Sequence, residues 1–546
     1  MSYSSGQPGQ IGVTSEWEST GFNNGRRIAR DSNGYFHAVW HSKPSLPAGP
    51  SASGCEIYYA FTNAPAIEPP SMAVAGAWSP PILMSSPLQN YDNRYPSMAI
   101  EYEIVDGAWK QTNNLDIVWQ AISEGGMRYE VLFAKILVSS PPSIPPPWAM
   151  AINLSMTPQT DSLVPSICIN AHDPGNPAKQ HIHVMWQEED INPGQYGTSP
   201  PEDLWYSDIA YIRSVDSGIT WAGPAGGWAG HPWDNITQTP MNSQMPSVSC
   251  ILDQFTTSPA VTGRSDLGYN FQSVHVAFNE DLPGVVAPGI NVYYMRSFDD
   301  GLTWQPRINV TIATRGEQPN LDAYPNVAVD MLDRPHIVFM RGGLIPREPM
   351  RNTQQGPPFY QPGINPVLWQ AFPGPEVGMY GAMLNNVVYA YLDPQQQWYF
   401  IDWGSGMDNE FPTTALDRYQ HVNVNWQMYL TGIKDYEVVR DTRLNMLPPS
   451  FPLVPQLYGL WGGVVYDSHD PVNDDLFPNL AHKKVAMYFS PVEPLIAGYD
   501  EVWTKIQGHG PEQAVNPAVF RQVWQDGNMK YDVNIAPSRV ADYQLY

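Results

Sequence analysis

Apolar and polar positions alternate with period two in short runs that recur along the chain. One set of runs ends in an aromatic: Phe36-His37-Ala38-Val39-Trp40, Leu115-Asp116-Ile117-Val118-Trp119, His181-Ile182-His183-Val184-Met185-Trp186, Val274-His275-Val276-Ala277-Phe278 and Pro335-His336-Ile337-Val338-Phe339. A second set follows each of these: Glu56-Ile57-Tyr58-Tyr59-Ala60, Tyr129-Glu130-Val131-Leu132-Phe133, Leu204-Trp205-Tyr206-Ser207, Asn291-Val292-Tyr293-Tyr294 and Val387-Val388-Tyr389-Ala390. β-Branched and aromatic residues bounded by turn residues are what pleated strands favour. A helical period of 3.6 is sustained nowhere obvious.

A third phrase precedes each pair of strands and fixes the repeat. It reads Tyr95-Pro96-Ser97-Met98-Ala99, Val164-Pro165-Ser166-Ile167-Cys168, Met245-Pro246-Ser247-Val248-Ser249 and Tyr324-Pro325-Asn326-Val327-Ala328, with the prolines 69, 81 and 79 residues apart. Weaker copies stand at Arg26-Arg27-Ile28-Ala29, Tyr419-Gln420-His421-Val422-Asn423 and Phe477-Pro478-Asn479-Leu480. A four-stranded sheet of this length cannot bury both faces alone, so repeated sheets packed around an axis follow. The fold expected is all-β: one β-propeller over residues 1–546, of six or seven four-stranded antiparallel blades. Spacing favours seven, at about 20–90, 91–160, 161–240, 241–318, 319–404, 405–475 and 476–546.

Composition agrees. Among 546 residues, 55 prolines and 43 glycines supply turns, and 19 tryptophans supply apolar area to a chain with only 15% charged residues. The net charge of −25 disfavours nucleic-acid binding, which needs a basic face. Cys55, Cys168 and Cys250 have no metal spacing; a Cys168–Cys250 bridge is the alternative to buried free thiols, the expected state. No segment reaches the roughly 18 apolar residues of a membrane span. The leading MSYSSGQPGQIGV lacks the features of a secretory signal. Sequons at Asn153, Asn235 and Asn309 are short patterns and carry no weight alone.

Two segments share one phrase, Ser214-Val215-Asp216-Ser217-Gly218-Ile219-Thr220-Trp221 and Ser297-Phe298-Asp299-Asp300-Gly301-Leu302-Thr303-Trp304. Both resemble the Asp-box (BNR) repeat, S-x-D-x-G-x-T-W, of the sialidase-like propeller superfamily; an eroded copy lies between Thr62 and Trp78. Asp31-Ser32-Asn33-Gly34, with the strands after it, carries the same likeness in the first blade. The resemblance implies a structural turn between third and fourth strands, on the face opposite a ligand site. Ser214, Asp216, Gly218, Thr220 and Trp221, with Ser297, Asp299, Gly301, Thr303 and Trp304, are therefore read as structural, fastening the outer edges of their sheets. An active member of that family holds a substrate carboxylate with three arginines and uses a Tyr–Glu nucleophile pair with an Asp acid/base. The nearest match to its first arginine phrase, Arg27-Ile28-Ala29, lacks the proline, and no catalytic residue is assigned.

Recognition is placed on the face carrying the loops 41–54, 187–203, 279–290 and 341–384, with 231–244 and 404–418 between blades; the opposite turns are expected to be tighter. The polar residues following the second strands form the candidate ring: His41, Gln120, Gln187, Glu188, Asn279, Glu280, Asp281 and Arg341. They suit a sugar, a cation, or paired carboxylates for glycoside hydrolysis; solvated loop tips are the plainer alternative. Glu188-Glu189-Asp190 offers oxygen ligands to Ca²⁺ without a defined spacing, so no cofactor is expected. His181, His183, His275 and His336 recur within blades, which suggests packing or a hydrogen-bond ladder and no metal site. Phe359, Tyr360, Trp369, Phe372 and Tyr380 either stack on sugars or fold their loop onto its own blade, the latter preferred. The expected role is a recognition or scaffold propeller binding a glycan or protein, extracellular, on a cell surface or on a virion. A sialidase-type hydrolase and a subunit of a larger or homo-oligomeric assembly are the alternatives.

Overall fold

The computed structural model describes residues 9–14, 24–31, 35–43, 54–63, 78–85, 92–105, 108–122, 128–138, 142–143, 151–171, 180–189, 207–239, 241–251, 256–257, 272–281, 290–315, 321–330, 333–342, 386–392, 398–403, 408–416, 422–430, 435–443, 464–466, 474–481, 486–487, 519–527 and 531–539. Apart from a short helix, Val310–Arg315, the described elements are strands. From the inside outward, the first unit is Ile28–Arg30, Phe36–Ser42, Glu56–Phe61 and Ile82–Leu83. The second is Asp92–Val105, Ala108–Ile122, Tyr129–Ile136 and Ile152–Asn153; the third is Ser162–Ala171, Gln180–Glu189, Ser207–Ser214 and Asp234–Asn235. Ser243–Ser249, Val274–Asp281, Ile290–Ser297 and Ile308–Asn309 make the fourth. Leu321–Val329, Pro335–Gly342, Asn386–Leu392 and Trp398–Trp403 make the fifth, joined to the fourth through the parallel bridge Ile290–Leu321. The sixth is Asp408–Leu416, Val422–Leu430, Asp435–Arg443 and Val464–Tyr466. The last combines Asp474–Ala481, Val519–Gly527 and Tyr531–Arg539 with Gly9–Thr14 from the other end of the chain.

The inner strands touch in sequence, and the innermost strand of the last unit returns to that of the first. The described strands thus form a closed ring of antiparallel four-stranded blades, a β-propeller.

The recurring Pro-Ser phrase has a physical cause. Tyr95, Val164, Met245, Tyr324 and Phe411, each before a proline, have φ of 51°, 50°, 54°, 54° and 47°. A bulky residue at positive φ is costly, on the order of 1–3 kcal/mol. Here it makes a bulge where proline, lacking an N–H, interrupts the inner ladder. Those five side chains, from five successive blades, belong to one buried apolar cluster. In the third, fourth and fifth blades the polar residue after the proline ties its blade to the next. Ser166 Oγ accepts the Val248 N–H (3.2 Å), Ser247 Oγ that of Val327 (3.2 Å), and Asn326 Oδ1 that of Thr414 (2.9 Å). Residues 24–26 lie against this belt: Asn24 Nδ2 donates to the carbonyls of Val164 (2.9 Å) and Pro246 (3.0 Å), in the third and fourth blades.

Several expectations are corrected. The sixth blade opens with Phe411-Pro412-Thr413, so Tyr419-Gln420-His421-Val422-Asn423 leads into its second strand and 404–418 is mostly inner strand. The third strand of the third blade is Ser207–Ser214; Leu204, Trp205 and Tyr206 lie outside the described residues. The turns on the far face are not uniformly tight. The inner-to-second connections of the fourth and last blades run from Ser249 to Val274 and from Ala481 to Val519, and they meet in the parallel pair Thr256–Thr257 with Ala486–Met487. Cys55, Cys168 and Cys250 are buried thiols in no disulfide, and Cys250 Sγ donates to the Ile169 carbonyl.

The sequons belong to the outer strands. Ser155, Thr237 and Thr311 accept the third-strand N–H groups of Val131 (3.0 Å), Ile209 (3.0 Å) and Val292 (2.9 Å), and Ser85 does the same for Ile57 (2.8 Å). Asn153, Asn235 and Asn309 accept N–H groups of the turn that follows. The pattern N-x-S/T therefore recurs because it ends a blade.

Candidate functional site

Second strands end, and inner strands begin, on one face. His41, Gln120, Gln187 and Asn279 occupy the same position at that end of successive blades, where the fifth blade has Met340; Arg341 stands one residue further on, at the position of Glu188 and Glu280. They are buried, so the solvated-tip alternative does not describe them. Two brace the next blade's bulge. His41 Nδ1 accepts the Tyr95 N–H (3.3 Å), and Gln120 Oε1 that of Val164 (2.8 Å). Gln187 Nε2 donates to Glu189 Oε1 (3.1 Å), and Arg341 is held by Asp322 (2.9 Å). Asn279 finds no hydrogen-bond partner for either amide atom among the described residues.

The next residue along is acidic in two blades. Glu188 Oε2 accepts from Ser162 Oγ (2.6 Å) and Trp186 Nε1 (2.7 Å), while Oε1 accepts from Thr160. Burial pushes its carboxyl up to about 7 against these hydrogen bonds. Its oxygens are thus engaged internally, which does not suit a surface Ca²⁺ ligand; among the described residues no group of three or more His, Cys, Asp or Glu is placed to hold a metal. Glu280 Oε1 accepts from Arg307 (2.6 Å), Thr239 (2.9 Å) and Ser243 (3.1 Å); burial raises its pKa despite Arg307. Asp281 ends the same strand, and its side chain lies outside the described ones, as do Asp190, Phe359, Tyr360, Trp369, Phe372 and Tyr380.

One residue of this region was not singled out from sequence. Gln244, two before the fourth blade's proline, is the cross-strand partner of Asn279. Both its amide atoms lack a partner among the described residues, as do Gln120 Nε2, Gln187 Oε1 and Glu280 Oε2. Its signal was its register before a Pro-Ser phrase, legible only once that phrase is known to be a bulge.

Described cations of this face are engaged by carboxylates. Arg94 pairs with Asp92 (2.9 Å), which also accepts from Tyr129 Oη (2.6 Å); Arg128 pairs with Asp161 (2.7 Å), Arg307 with Glu280 and Arg341 with Asp322. Arg27, of the Arg-Ile phrase, is fully buried, and desolvation lowers its guanidinium to about 9.

The opposite face carries the recurring histidines. Nδ1 of His37, His183, His275 and His336 meets the hydroxyl of Tyr59, Tyr211, Tyr294 and Tyr389 at 2.8, 2.7, 2.7 and 2.7 Å. Their Nε2 atoms face Asp31 (3.3 Å), Asp300 (3.3 Å), Asp333 (2.8 Å) and Asp330 (3.2 Å). The histidines therefore form buried Tyr–His–Asp ladders, within the first and fifth blades and from the third and fourth blades to the blade that follows.

The two Ser-Asp-Gly-Trp turns also lie here. Ser214 Oγ accepts the Gly218 N–H (2.8 Å), and Asp216 accepts the N–H (2.8 Å) and hydroxyl (2.7 Å) of Thr220. Ser297, Asp299, Gly301 and Thr303 repeat these bonds. They do more than fasten outer edges. Asp300 reaches His181 (2.5 Å) and Arg213 (2.8 Å) of the preceding blade; burial opposes its ionisation, but the histidine hydrogen bonds hold its pKa well below the usual range. Trp304 packs edge-on to Tyr211, and Trp221 to Phe133, each one blade back.

No protein-family model matches the chain, and no curated protein matches it. Among solved structures, the chain is similar to a protein of unknown function from Dyadobacter fermentans, at 11% identity and a TM-score of 0.38, over 80% of this chain and 97% of that one. It is also similar to the Penicillium chrysogenum α-L-arabinanase solved with arabinobiose (10%, 0.39, 78% and 94%). A third is the Hadza microbial sialidase Hz136 (11%, 0.34, 73% and 62%). The propeller itself rests on the strand order above.

Proposed function

We propose that this chain is a sialidase-like, Asp-box propeller that recognises a glycan through the face where its second strands end, and does so without cleaving it. The carrying observation is the buried ring at that face, in which Gln187, Gln244 and Asn279 hold amide atoms with no partner among the described residues. Buried amides left unsatisfied cost about 1–3 kcal/mol each, so polar groups from outside are the natural complement. Hydrolysis needs a pair of carboxyl groups free to act on the scissile bond. Glu188 is bound by Thr160, Ser162 and Trp186, and Glu280 by Arg307, which supports recognition over catalysis. An acidic, glycan-binding propeller suits a place outside the cell or on a cell or virion surface, and the reading requires no cofactor.

A glycan array read beside fluorogenic sialoside and arabinofuranoside assays tests this. Retention of glycans with no turnover is expected. Turnover of either substrate overturns the non-catalytic part, and an array with no retained glycan overturns recognition in favour of an assembly role.

A further inference from the structure

The unsatisfied groups are concentrated, and their chemistry is selective. Gln244 and Asn279 are directly paired across the inner and second strands of the fourth blade. Opposed residues bring their Cβ atoms to about 5 Å, so the two amides share one face of the sheet. Ser243 and Glu280 are the next pair in register and therefore project from the other face of the sheet. Gln187 lies two residues before the end of the second strand of the third blade, which packs on the inner strand carrying Gln244. Among the described residues, five polar atoms of this region have no hydrogen-bond partner: Gln187 Oε1, Gln244 Oε1 and Nε2, and Asn279 Oδ1 and Nδ2. All three side chains are at most 2% exposed.

We infer that this cluster is the subsite of an uncharged, polyhydroxylated ligand, a neutral oligosaccharide and not an acidic one; the inference rests on the recognition reading above and deepens it. A carboxamide offers a donor and an acceptor side by side, which matches a sugar hydroxyl that both donates and accepts. A carboxylate ligand asks for cations, by preference a guanidinium fork. Among the described residues, the forks near the cluster already face protein carboxylates: Arg94 with Asp92, Arg128 with Asp161, Arg307 with Glu280 and Arg341 with Asp322. Binding an acidic sugar would require breaking one of these pairs beside further carboxyl groups such as Glu188 and Asp208. Ordered water, the other complement of such groups, is displaced by hydroxyls that reproduce its bonds.

The test uses the full chain, titrated calorimetrically with neutral gluco-, xylo- and arabino-oligosaccharides and with the acidic sialyllactose and oligogalacturonate. Hydrogen exchange is followed in each complex. At least one neutral series should bind, protect Ser243–Ser249 and Val274–Asp281 from exchange, and exceed the acidic ligands at least tenfold in affinity. Gln244→Ala and Asn279→Ala should each weaken it at least tenfold, about 1.4 kcal/mol, with thermal unfolding recorded to confirm the fold. Should either variant not fold, the protection map of the unaltered chain decides. Acidic ligands binding as tightly as neutral ones overturn the subsite's selectivity while leaving recognition standing. Neutral binding that protects other strands, or survives Gln244→Ala in a folded variant, overturns the location. Failure of every glycan to bind overturns both this inference and the reading beneath it.

Discussion

Glu188 shows what a single buried acid does to this fold. Its carboxyl is nearly inaccessible, surrounded by Ser162, Thr160 and the Trp186 indole, and titrates near 7 in place of 4.5. Between those two pH values the folded chain holds a proton that the unfolded chain has released, so stability falls as pH rises through that window and levels off above it. Glu188→Gln mimics the protonated acid and keeps an acceptor for the indole. It should remove that part of the pH dependence and stabilise the protein at pH 8, by up to roughly 3 kcal/mol, the worth of a shift of about two units. Unfolding midpoints of both proteins at pH 5 and pH 8 check it; parallel curves would show that Glu188 does not titrate in this range. From sequence Glu188 read as the start of an acidic surface run. Its burial depends on Ser162, 26 residues upstream, and on a strand register that alternation of apolar residues does not specify at its ends. Four of the ring positions were nonetheless legible, because the residue following an aromatic-terminated second strand is defined by the strand itself; in the fifth blade that residue is Met340, and Arg341 stands one further on.

At the scale of an element, the second Ser-Asp-Gly-Trp turn acts as a clasp between blades. Gly301 has φ of 81°, and a Cβ there would collide with the Tyr211 hydroxyl and come within 2.6 Å of its Cζ. Gly226, at φ 99°, meets nothing within 4 Å and isolates the conformational cost. Gly226→Ala should therefore lose about 1 kcal/mol from left-handed strain alone. Gly301→Ala adds a clash with a buried ring and should lose more than about 3 kcal/mol, with increased hydrogen exchange in Ser207–Ser214. Equal losses in thermal or urea unfolding would mean that Tyr211 moves aside freely. The motif was plain in the sequence because its turn is local, closed by Ser, Asp and Thr within seven residues. Its docking was not, since Tyr211 and His183 lie about a hundred residues away and nothing in the turn names them. The blade-opening phrase behaved similarly. Pro followed by Ser or Asn marked four blades, but Phe411-Pro412-Thr413 substitutes another hydrogen-bonding residue and escaped notice, although its bulge and positive φ are the same.

For the whole molecule, the ring is closed by a strand from the opposite end of the chain. Gly9–Thr14 pairs with Tyr531–Arg539, supplying the last blade with its outer strand. Two glycines in six residues give that segment a weak apolar pattern, and its partner is more than 500 residues distant, so neither propensity nor periodicity disclosed it. The consequence is that the stability of the ring is held jointly by its two ends. Backbone N–H groups in a strand point alternately to either side, so prolines at both Gly12 and Val13 must delete one ladder bond and restrict the backbone at two residues. The double substitution should lower the unfolding temperature and speed hydrogen exchange across Tyr531–Arg539 and then Val519–Gly527. It should also expose an unpaired edge, which invites association between chains at higher concentration. Exchange in Gln180–Glu189, on the far side of the ring, should change least while the protein remains folded. If the double variant unfolds at the original temperature with Tyr531–Arg539 still protected, the strand decorates the last blade without closing the ring. The belt of Ser166, Ser247 and Asn326 around the axis would then have to hold the blades together alone.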